Sequence, residues 1–280
     1  MTDRYLEIKK RILDFAENNC NIKAVVAIGS STRSEVKADE FSDLDLIIAT
    51  ENTDEWLYGD IPNKFGDVKI SFVEPTLGGG NERRILYDNS LDVDMIVFTP
   101  EQFTNAINEG VAGWVCNRGY AVLYDTMNFE KLMSDNIIHE IKREVMTENE
   151  YTNMVNDFCF HVVWASKKVL RGELWTAKMC IDSYLKNHLL KLIEAYTISK
   201  YKTDVWHDGR FLDRWADDSI KEVLKKCFAH YEKDDMISAL CETYKLFSHL
   251  SKEMAEICGY IFPETAVNYA GELFSEYFDK

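Results

Sequence analysis

Two aspartates separated by one residue, Asp43 and Asp45, open the apolar segment DLDLIIAT. The alternation of leucine and aspartate predicts a β-strand, in which residues two apart point to the same face, so the two carboxylates would stand side by side. Neighbouring carboxylates repel each other unless a cation lies between them. Mg²⁺ suits that place because it takes oxygen ligands from one or two carboxylates and from substrate phosphates. The pair therefore predicts a magnesium site for phosphate chemistry.

A glycine-serine step, Gly29-Ser30, precedes this pair and directly follows the apolar run IKAVVAI. Glycine has no side chain to block phosphate oxygens from backbone N–H groups, and the serine hydroxyl offers a further donor. Either element alone is common, because a glycine-serine turn often follows a strand and an Asp-x-Asp pair can lie on a solvated strand face. Their order along the chain is what indicates a nucleotide site.

A third carboxylate comes from the segment LDVDMIVF, residues 91–98, whose apolar tail predicts a central strand. If this strand lies beside the first, Asp94 or Asp92 completes a cluster of three carboxylates. Such a cluster can hold two metal ions about 3.5–4 Å apart, one promoting attack and the other stabilising the leaving group. The residues leave open whether Asp92 takes part.

Three charged residues recur at intervals of four in segment 173–199, which has a helical pattern: Lys178, Asp182 and Lys186. They would lie along one helix face. Transfer to an alcohol requires a group that accepts the hydroxyl proton, and a carboxylate within hydrogen-bond reach can do so. We interpret Asp182 as that base and Lys178 as a contact to a triphosphate. The alternative is a solvated row of ion pairs, which is common on helices.

The composition excludes several classes of protein. The formal charge of −16 would repel a polyphosphate backbone, so nucleic acid is not an expected partner, whereas an acidic cleft would attract a small cation. Seven cysteines without CxxC spacing indicate a reduced, cytoplasmic protein. The charged N-terminal segment is unlike a signal peptide, and no apolar run is long enough to cross a membrane, so no membrane is expected. We expect a monomer.

Recognition of a small cationic acceptor would use carboxylates and aromatic faces. The candidates are Trp164, Trp175, Trp206, Trp215 and the pair Asp217-Asp218. Tryptophans in helical segments are more often core residues, and that alternative remains open for each of them. The histidines His161, His188 and His249 lack the HExxH spacing, which argues against a zinc enzyme.

The periodicity of the chain changes near residue 135. Before that point, an amphipathic helix over 3–19 is followed by strand patterns at 22–28, 43–50, 67–73, 83–88, 91–98 and 119–125, with a tight turn at 88–90. After it, helices are predicted at 148–171, 173–199, 217–230, 233–258 and 264–278. We therefore predict an α+β fold. Residues 1–135 would form a catalytic domain with a mixed sheet flanked by helices, and residues 136–280 a helical bundle that binds the acceptor.

The pattern Gly29-Ser30, Asp43-x-Asp45 and Asp94 resembles the nucleotidyltransferase superfamily of polymerase-β type. Over most of its length the chain is similar to the aminoglycoside 6-adenylyltransferases, or streptomycin adenylyltransferases. The similarity includes the segments SDLDL, LYDNSLDVDMIVFTPEQF and FHVVWASKKVLRGELWTAKMCIDSYLKNHLLKLI. The N-terminal motifs mark the superfamily, and the helical half carries the narrower assignment.

This resemblance implies roles for individual residues. Asp43, Asp45 and Asp94 correspond to the aspartates that ligate Mg²⁺, which in that family holds the phosphates of ATP. Asp182 matches an aspartate in the corresponding helix of the family. The residues that match the segment lining the triphosphate are Gly29, Ser30 and Ser42.

The chain also departs from the family pattern. An arginine directly follows the serine in relatives, whereas Ser31 and Thr32 intervene here before Arg33, which we assign to nucleotide binding. Segment 56–80 matches poorly, so the acceptor could differ. Its run Gly78–Gly80 lacks the helix start of a phosphate loop, and we predict a flexible connector there.

The resemblance thus implies a Mg²⁺-dependent enzyme that transfers AMP from ATP to a hydroxyl of a streptomycin-like aminoglycoside, releasing pyrophosphate and inactivating the drug. Another acceptor, such as a lincosamide, a different sugar or a protein side chain, remains open. A regulatory module that binds a nucleotide without turnover is a further alternative, and the presence of all three aspartates argues against it.

Overall fold

The computed structural model of the protein describes residues 4–33, 35–137 and 145–278. The chain divides into two compact units, Met1–Ile141 and Lys142–Lys280. The first contains a six-stranded mixed sheet with flanking helices and the second is helical, which confirms the predicted α+β class. The predicted first helix, 3–19, begins at a position outside the described residues; within them it runs over Leu6–Glu17.

The sheet has the strand order β3-β4-β5-β2-β1-β6. Its strands are β1 (Ile22–Ile28), β2 (Leu44–Thr50), β3 (Val68–Pro75), β4 (Asn81–Tyr87), β5 (Leu91–Phe98) and β6 (Ala121–Asp125). Strands β2 and β5 run parallel, and the other neighbouring pairs are antiparallel. The two strands that carry the predicted aspartates are therefore neighbours at the centre of the sheet.

Helices cover both faces of this sheet. They are α1 (Leu6–Glu17), α2 (Thr53–Leu57), α3 (Pro100–Asn108), α4 (Val111–Cys116) and α5 (Phe129–Asn136). Leu44, Leu46 and Ile48 of β2 pack in a core with α1 and α2, whereas Ile47 and Ala49 pack in a second core with α3, α4 and α5. Burial on both faces explains why β2 is an almost continuous apolar run, and each fully buried leucine or isoleucine contributes about 1.5–3 kcal/mol.

The connection between β4 and β5 is a tight turn, Asp88–Ser90, in which Asn89 and Ser90 have φ of 59° and 55°. Short polar residues tolerate this left-handed conformation, so the DNS segment suits the turn that the sequence predicted. The turn sets the hairpin register and pairs Arg84 directly with Asp94. The Gly78–Gly80 run lies in the β3–β4 connection, where Gly80 packs against Phe98.

The second unit contains α6 (Glu148–Leu170), α7 (Leu174–Met179), α8 (Leu185–Tyr201), α9 (Leu212–Trp215), α10 (Asp218–Leu224), α11 (Lys233–Cys258) and α12 (Glu264–Phe278). These helices confirm the predicted helical half, with two differences. The predicted helix 173–199 contains a π-helical turn, Cys180–Tyr184, between α7 and α8. The helix predicted at 217–230 ends at Leu224.

The π-helical turn is held by a buried lysine. Lys186 Nζ donates hydrogen bonds to the Ile181 carbonyl at 2.9 Å and to Thr243 Oγ1 at 2.8 Å, and it faces the ring of Phe228. Desolvation by burial lowers the pKa of Lys186 to about 8. The row of three charges predicted for this helix is thus not a uniform solvated face, because its last member is buried.

No helix within the described ranges is long and apolar enough to span a membrane. All seven cysteines lie in those ranges, and each is a free thiol.

Candidate active site

The parallel pairing of β2 with β5 places Asp45 opposite Asp94. Asp43 lies one residue before β2 and two before Asp45, so its side chain points to the same edge of the sheet. One carboxylate oxygen from each of the three residues lies within 4.8 Å of the other two. The structure thus brings together the three aspartates that the sequence singled out.

Gly29 lies against this cluster because Ile28, the last residue of β1, pairs with Asp45. The backbone of Gly29 has φ of 68°, a conformation that favours glycine. A Cβ atom at this position would stand 2.0 Å from Asp45 Oδ2. The glycine is therefore required both by its conformation and by the carboxylate beside it.

The residues after Gly29 are tied to neighbouring backbone. Ser30 is buried, and its hydroxyl donates a hydrogen bond to the Asp43 carbonyl at 3.2 Å. Thr32 Oγ1 donates to the Gly119 carbonyl at 2.9 Å, and Arg33 Nε donates to the Val36 carbonyl at 2.7 Å. These contacts hold the glycine-serine turn next to the first residue of the carboxylate cluster.

Ser42 also has a local hydrogen-bonding role. Its hydroxyl accepts a hydrogen bond from the Asp39 N–H at 2.9 Å and donates to Asp39 Oδ1 at 3.1 Å. These bonds shape the turn that leads into Asp43. Ser42 is therefore adjacent to Asp43 in the sequence, but its hydroxyl stabilises the preceding loop.

Asp94 is the most buried of the three carboxylates, with 6% of its surface exposed. Desolvation raises the pKa of Asp94 to about 7, against the opposing effect of the Arg84 guanidinium, and the charges of Glu82 and Asp45 raise it further. Arg84 Nη2 lies 3.3 Å from Asp94 Oδ2, and Arg84 also pairs with Glu74 and Glu82. One arginine thus offsets part of the negative charge at this edge.

The cluster has the properties of a divalent-cation site. Asp94 Oδ1 is buried and accepts no hydrogen bond within the described part of the chain. A buried carboxylate oxygen without a partner is costly unless a cation coordinates it. Three carboxylates also form the hard oxygen donor set that Mg²⁺ prefers. The residues therefore fit the metal that the sequence predicted.

Asp92 lies two residues before Asp94 and is exposed. Desolvation raises the pKa of Asp92, and the charge of Asp43 raises it further. Among the described residues, the group of carboxylates whose oxygens lie within 4.8 Å of one another does not include Asp92. The structure thus favours Asp94 over Asp92 as the third member of the cluster.

The two predicted residues of the helical unit lie together. Lys178 Nζ contacts Asp182 Oδ2, and both side chains are mostly buried. The Ala229 N–H donates to Asp182 Oδ2 at 3.3 Å, which holds the carboxylate from a second element. Asp182 is thus an oriented carboxylate in a pair with a lysine, at the π-helical turn.

An open pocket of about 430 Å³ lies on the helical unit, lined by His161, Trp164, Trp175, Thr176, Met179, Cys180 and Tyr184. Beside it, Asp157 accepts hydrogen bonds from the Tyr184 hydroxyl at 2.9 Å and from His188 Nε2 at 3.2 Å. Burial acts to raise the pKa of Asp157, but the hydrogen bond from Tyr184 and the charge of His188 outweigh it and hold the pKa below its ordinary value. The pocket therefore combines aromatic faces with a nearby anionic carboxylate.

The other acceptor candidates have separate surroundings. Trp206 is buried against Phe211, and Trp215 Nε1 donates to the Arg210 carbonyl. Asp217 accepts a hydrogen bond from the Tyr201 hydroxyl, and Asp218 pairs with Lys221.

Arg84 was not among the predicted site residues, although the sequence contains a signal for it. Arg84 and Asp94 are equally distant from Asn89, the centre of the predicted DNS turn. A hairpin centred on that turn pairs them, as the structure does. The pairing register that follows from the predicted turn therefore identifies Arg84 as the residue opposite Asp94.

A mixed sheet that brings three carboxylates beside a glycine-serine turn is the arrangement of a nucleotidyltransferase, and this chain is an enzyme of that class. The sequence profile of the family described as streptomycin adenylyltransferase matches residues 3–274. The chain therefore belongs to the streptomycin adenylyltransferase family.

Individual relatives carry related names. The aminoglycoside 6-adenylyltransferase of Bacillus subtilis (strain 168) is 23% identical over 270 residues, covering 92% of each chain. That of Staphylococcus aureus is 21% identical over 276 residues, covering 94% of each chain. A crystal structure of an aminoglycoside 6-adenyltransferase from Bacillus subtilis, 17% identical, aligns over 100% of both chains with a TM-score of 0.48.

Replacing Gly29 by alanine is expected to lower nucleotidyl transfer by about 100-fold or more, because the new methyl group would displace Asp45 from the cluster. Gly79→Ala is the matched control, since Gly79 also has a positive φ, 77°, and a Cβ atom there would meet no other atom within 4 Å. Both variants should lose similar stability from backbone strain. Equal activities of the two variants would contradict the role of Gly29.

The metal-free Asp94→Asn variant is expected to be more stable than the wild type at pH 8, by up to about 4 kcal/mol. Because the pKa of Asp94 is raised to about 7 in the folded state, its ionisation destabilises the fold progressively as the pH rises from the ordinary aspartate value to about 7. Denaturant unfolding with a chelator should show a smaller difference at pH 5.5. A difference that grows toward acid would contradict this assignment.

Proposed function

We propose that the protein transfers AMP from ATP to a hydroxyl group of a streptomycin-like aminoglycoside, releasing pyrophosphate and inactivating the drug. The observation that carries the proposal is the cluster of Asp43, Asp45 and Asp94 beside Gly29, in a chain that belongs to the streptomycin adenylyltransferase family. The curated relatives are named aminoglycoside 6-adenylyltransferases, which supports this acceptor class.

In this proposal Asp43, Asp45 and Asp94 hold Mg²⁺, which when bound neutralises phosphate charge and stabilises the leaving pyrophosphate. The absence of a side chain at Gly29 leaves room for phosphate oxygens to approach the backbone of the turn. Ser30 stays tied to the Asp43 carbonyl and keeps that turn in place. Arg84 limits the repulsion at the cluster before a nucleotide arrives.

Asp182 is proposed as the base that accepts the proton of the attacking hydroxyl. Two contacts support this role, because the Ala229 N–H and Lys178 orient the carboxylate. Lys178 is proposed to exchange this contact for the triphosphate when a nucleotide binds.

The second unit is proposed to recognise the acceptor. Trp164 and Trp175 line one pocket with Tyr184, and the ionised Asp157 lies beside them. Aromatic faces and carboxylates are the groups that bind ammonium and guanidinium ions. The net charge of −16 would further concentrate a cationic acceptor near the protein.

Pyrophosphate release from ATP and Mg²⁺ by the purified protein tests the reaction and the acceptor together. We expect release that is stimulated by streptomycin, with little stimulation by kanamycin, spectinomycin or lincomycin. Stimulation by lincomycin alone would move the acceptor to the lincosamides. Binding of ATP without turnover on any acceptor would favour a regulatory module instead.

Asp43→Asn and Asp45→Asn are each expected to lower this release by about 100-fold or more, because each removes a ligand charge that the nucleotide-bound metal requires. The fold should remain intact, since neither substitution removes core packing and each relieves repulsion. Circular dichroism and thermal unfolding check the fold of both variants. Turnover at the wild-type rate in either one would overturn the metal site.

Asp182→Asn is expected to lower kcat by about 100-fold while the affinity for ATP and Mg²⁺ stays within about twofold, as expected for loss of a general base. Glu222→Gln is the matched control, because Glu222 also pairs with a lysine, Lys225, but is exposed. A loss of nucleotide affinity equal to the loss of kcat would assign Asp182 to binding rather than to proton transfer.

A further inference from the structure

The pairing between β2 and β5, the two strands that carry the aspartates, begins at Leu44 and Val93. Asp43 therefore lies before the ladder begins, at the end of a loop, although its carboxylate must stay close to those of Asp45 and Asp94. Sheet hydrogen bonds alone do not set its position. The Ser30 hydroxyl holds the Asp43 carbonyl on the side of the glycine-serine turn. Repulsion among the carboxylates acts to move this end of β2 away from β5.

Two residues immediately before α1 bridge the segments that lead into these strands. The Tyr5 hydroxyl donates a hydrogen bond to the Ser42 carbonyl at 2.8 Å and accepts one from the Asp92 N–H at 3.3 Å. Arg4 Nη2 donates to the Asn89 carbonyl at 2.9 Å, and Arg4 Nη1 contacts the Glu40 carbonyl. Both side chains therefore join the loop before β2 to the start of β5.

Tyr5 is the firmer of the two bridges. Its side chain is buried, with 7% exposed, and packs in the core formed by α1 and the sheet. Because a hydroxyl group can donate and accept at once, the Tyr5 hydroxyl joins two backbone groups. Arg4 is more exposed, so its contacts are weakened by competition with water.

We propose that Arg4 and Tyr5 form a clamp that positions Asp43 relative to Asp94 before the metal and the nucleotide bind. The clamp acts on the backbone just before two residues of the cluster: Ser42 immediately precedes Asp43, and Asp92 lies two residues before Asp94. Tyr5 is a positioning residue, since its hydroxyl acts on the cluster through the Ser42 carbonyl and the Asp92 N–H. The proposal rests on metal and nucleotide binding at this cluster and is independent of the acceptor.

The test is the affinity of the full-length protein for Mn²⁺ in the presence of ATP and without acceptor, measured by electron paramagnetic resonance. Tyr5→Phe removes both hydrogen bonds and keeps the ring in the core. We expect it to weaken Mn²⁺ binding about tenfold, because Asp43 is no longer held against the repulsion of its neighbours. Arg4→Met should weaken it in the same direction by a smaller factor.

Tyr87→Phe is the matched control. The Tyr87 hydroxyl is buried in the same unit and donates a hydrogen bond to the Pro62 carbonyl at 3.0 Å, away from the cluster. Tyr5→Phe and Tyr87→Phe should lose similar thermal stability, but only the first should lose metal affinity. Unchanged Mn²⁺ binding in Tyr5→Phe, or an equal loss in Tyr87→Phe, would overturn the clamp. Absence of Mn²⁺ binding by the wild type would overturn the proposed function as well.

Discussion

Two parallel strands of the first unit hold carboxylates close together although these carboxylates repel each other, and the surrounding structure has to balance that repulsion. Pairing of β2 with β5 in register sets Asp45 opposite Asp94. Apolar side chains of both strands fill cores on the two faces of the sheet, and their burial keeps together charges that would separate in water. Arg84 reduces the cost from β4, where the hairpin register brings its guanidinium to Asp94.

The glycine-serine turn shows how closely the backbone approaches this cluster. Asp45 Oδ2 occupies the space that a side chain at position 29 would need, so the glycine serves close contact as well as backbone conformation. Side-chain hydrogen bonds from Ser30 and Thr32 then fasten the turn to neighbouring backbone. In the proposed function, a turn held in this way needs little reorganisation when a phosphate binds.

The helical unit departs from regular geometry where its candidate base lies. Periodicity predicted one helix over 173–199, because apolar spacing does not distinguish an α-helical turn from a single π-helical one. Lys186 contacts this interruption: its ammonium group donates hydrogen bonds to the Ile181 carbonyl and to Thr243 of another helix. Asp182 lies within this turn and contacts Ala229 from beyond the helix. Such turns are frequent at functional sites in proteins.

The sequence by itself determined the central strands and the members of the carboxylate cluster. Strand β2 could be predicted because its apolar run indicates burial along the whole element. Asp43 and Asp45 could be predicted because their spacing puts two carboxylates on one face of a strand, where they repel each other unless a cation binds. Only the tertiary structure decided that β5 lies beside β2, that Arg84 reaches Asp94 and that the Tyr5 hydroxyl joins the two strand entries. The physical reason is that these contacts join residues distant in sequence, and local propensity carries no information about which distant partner a strand or a hydroxyl will meet.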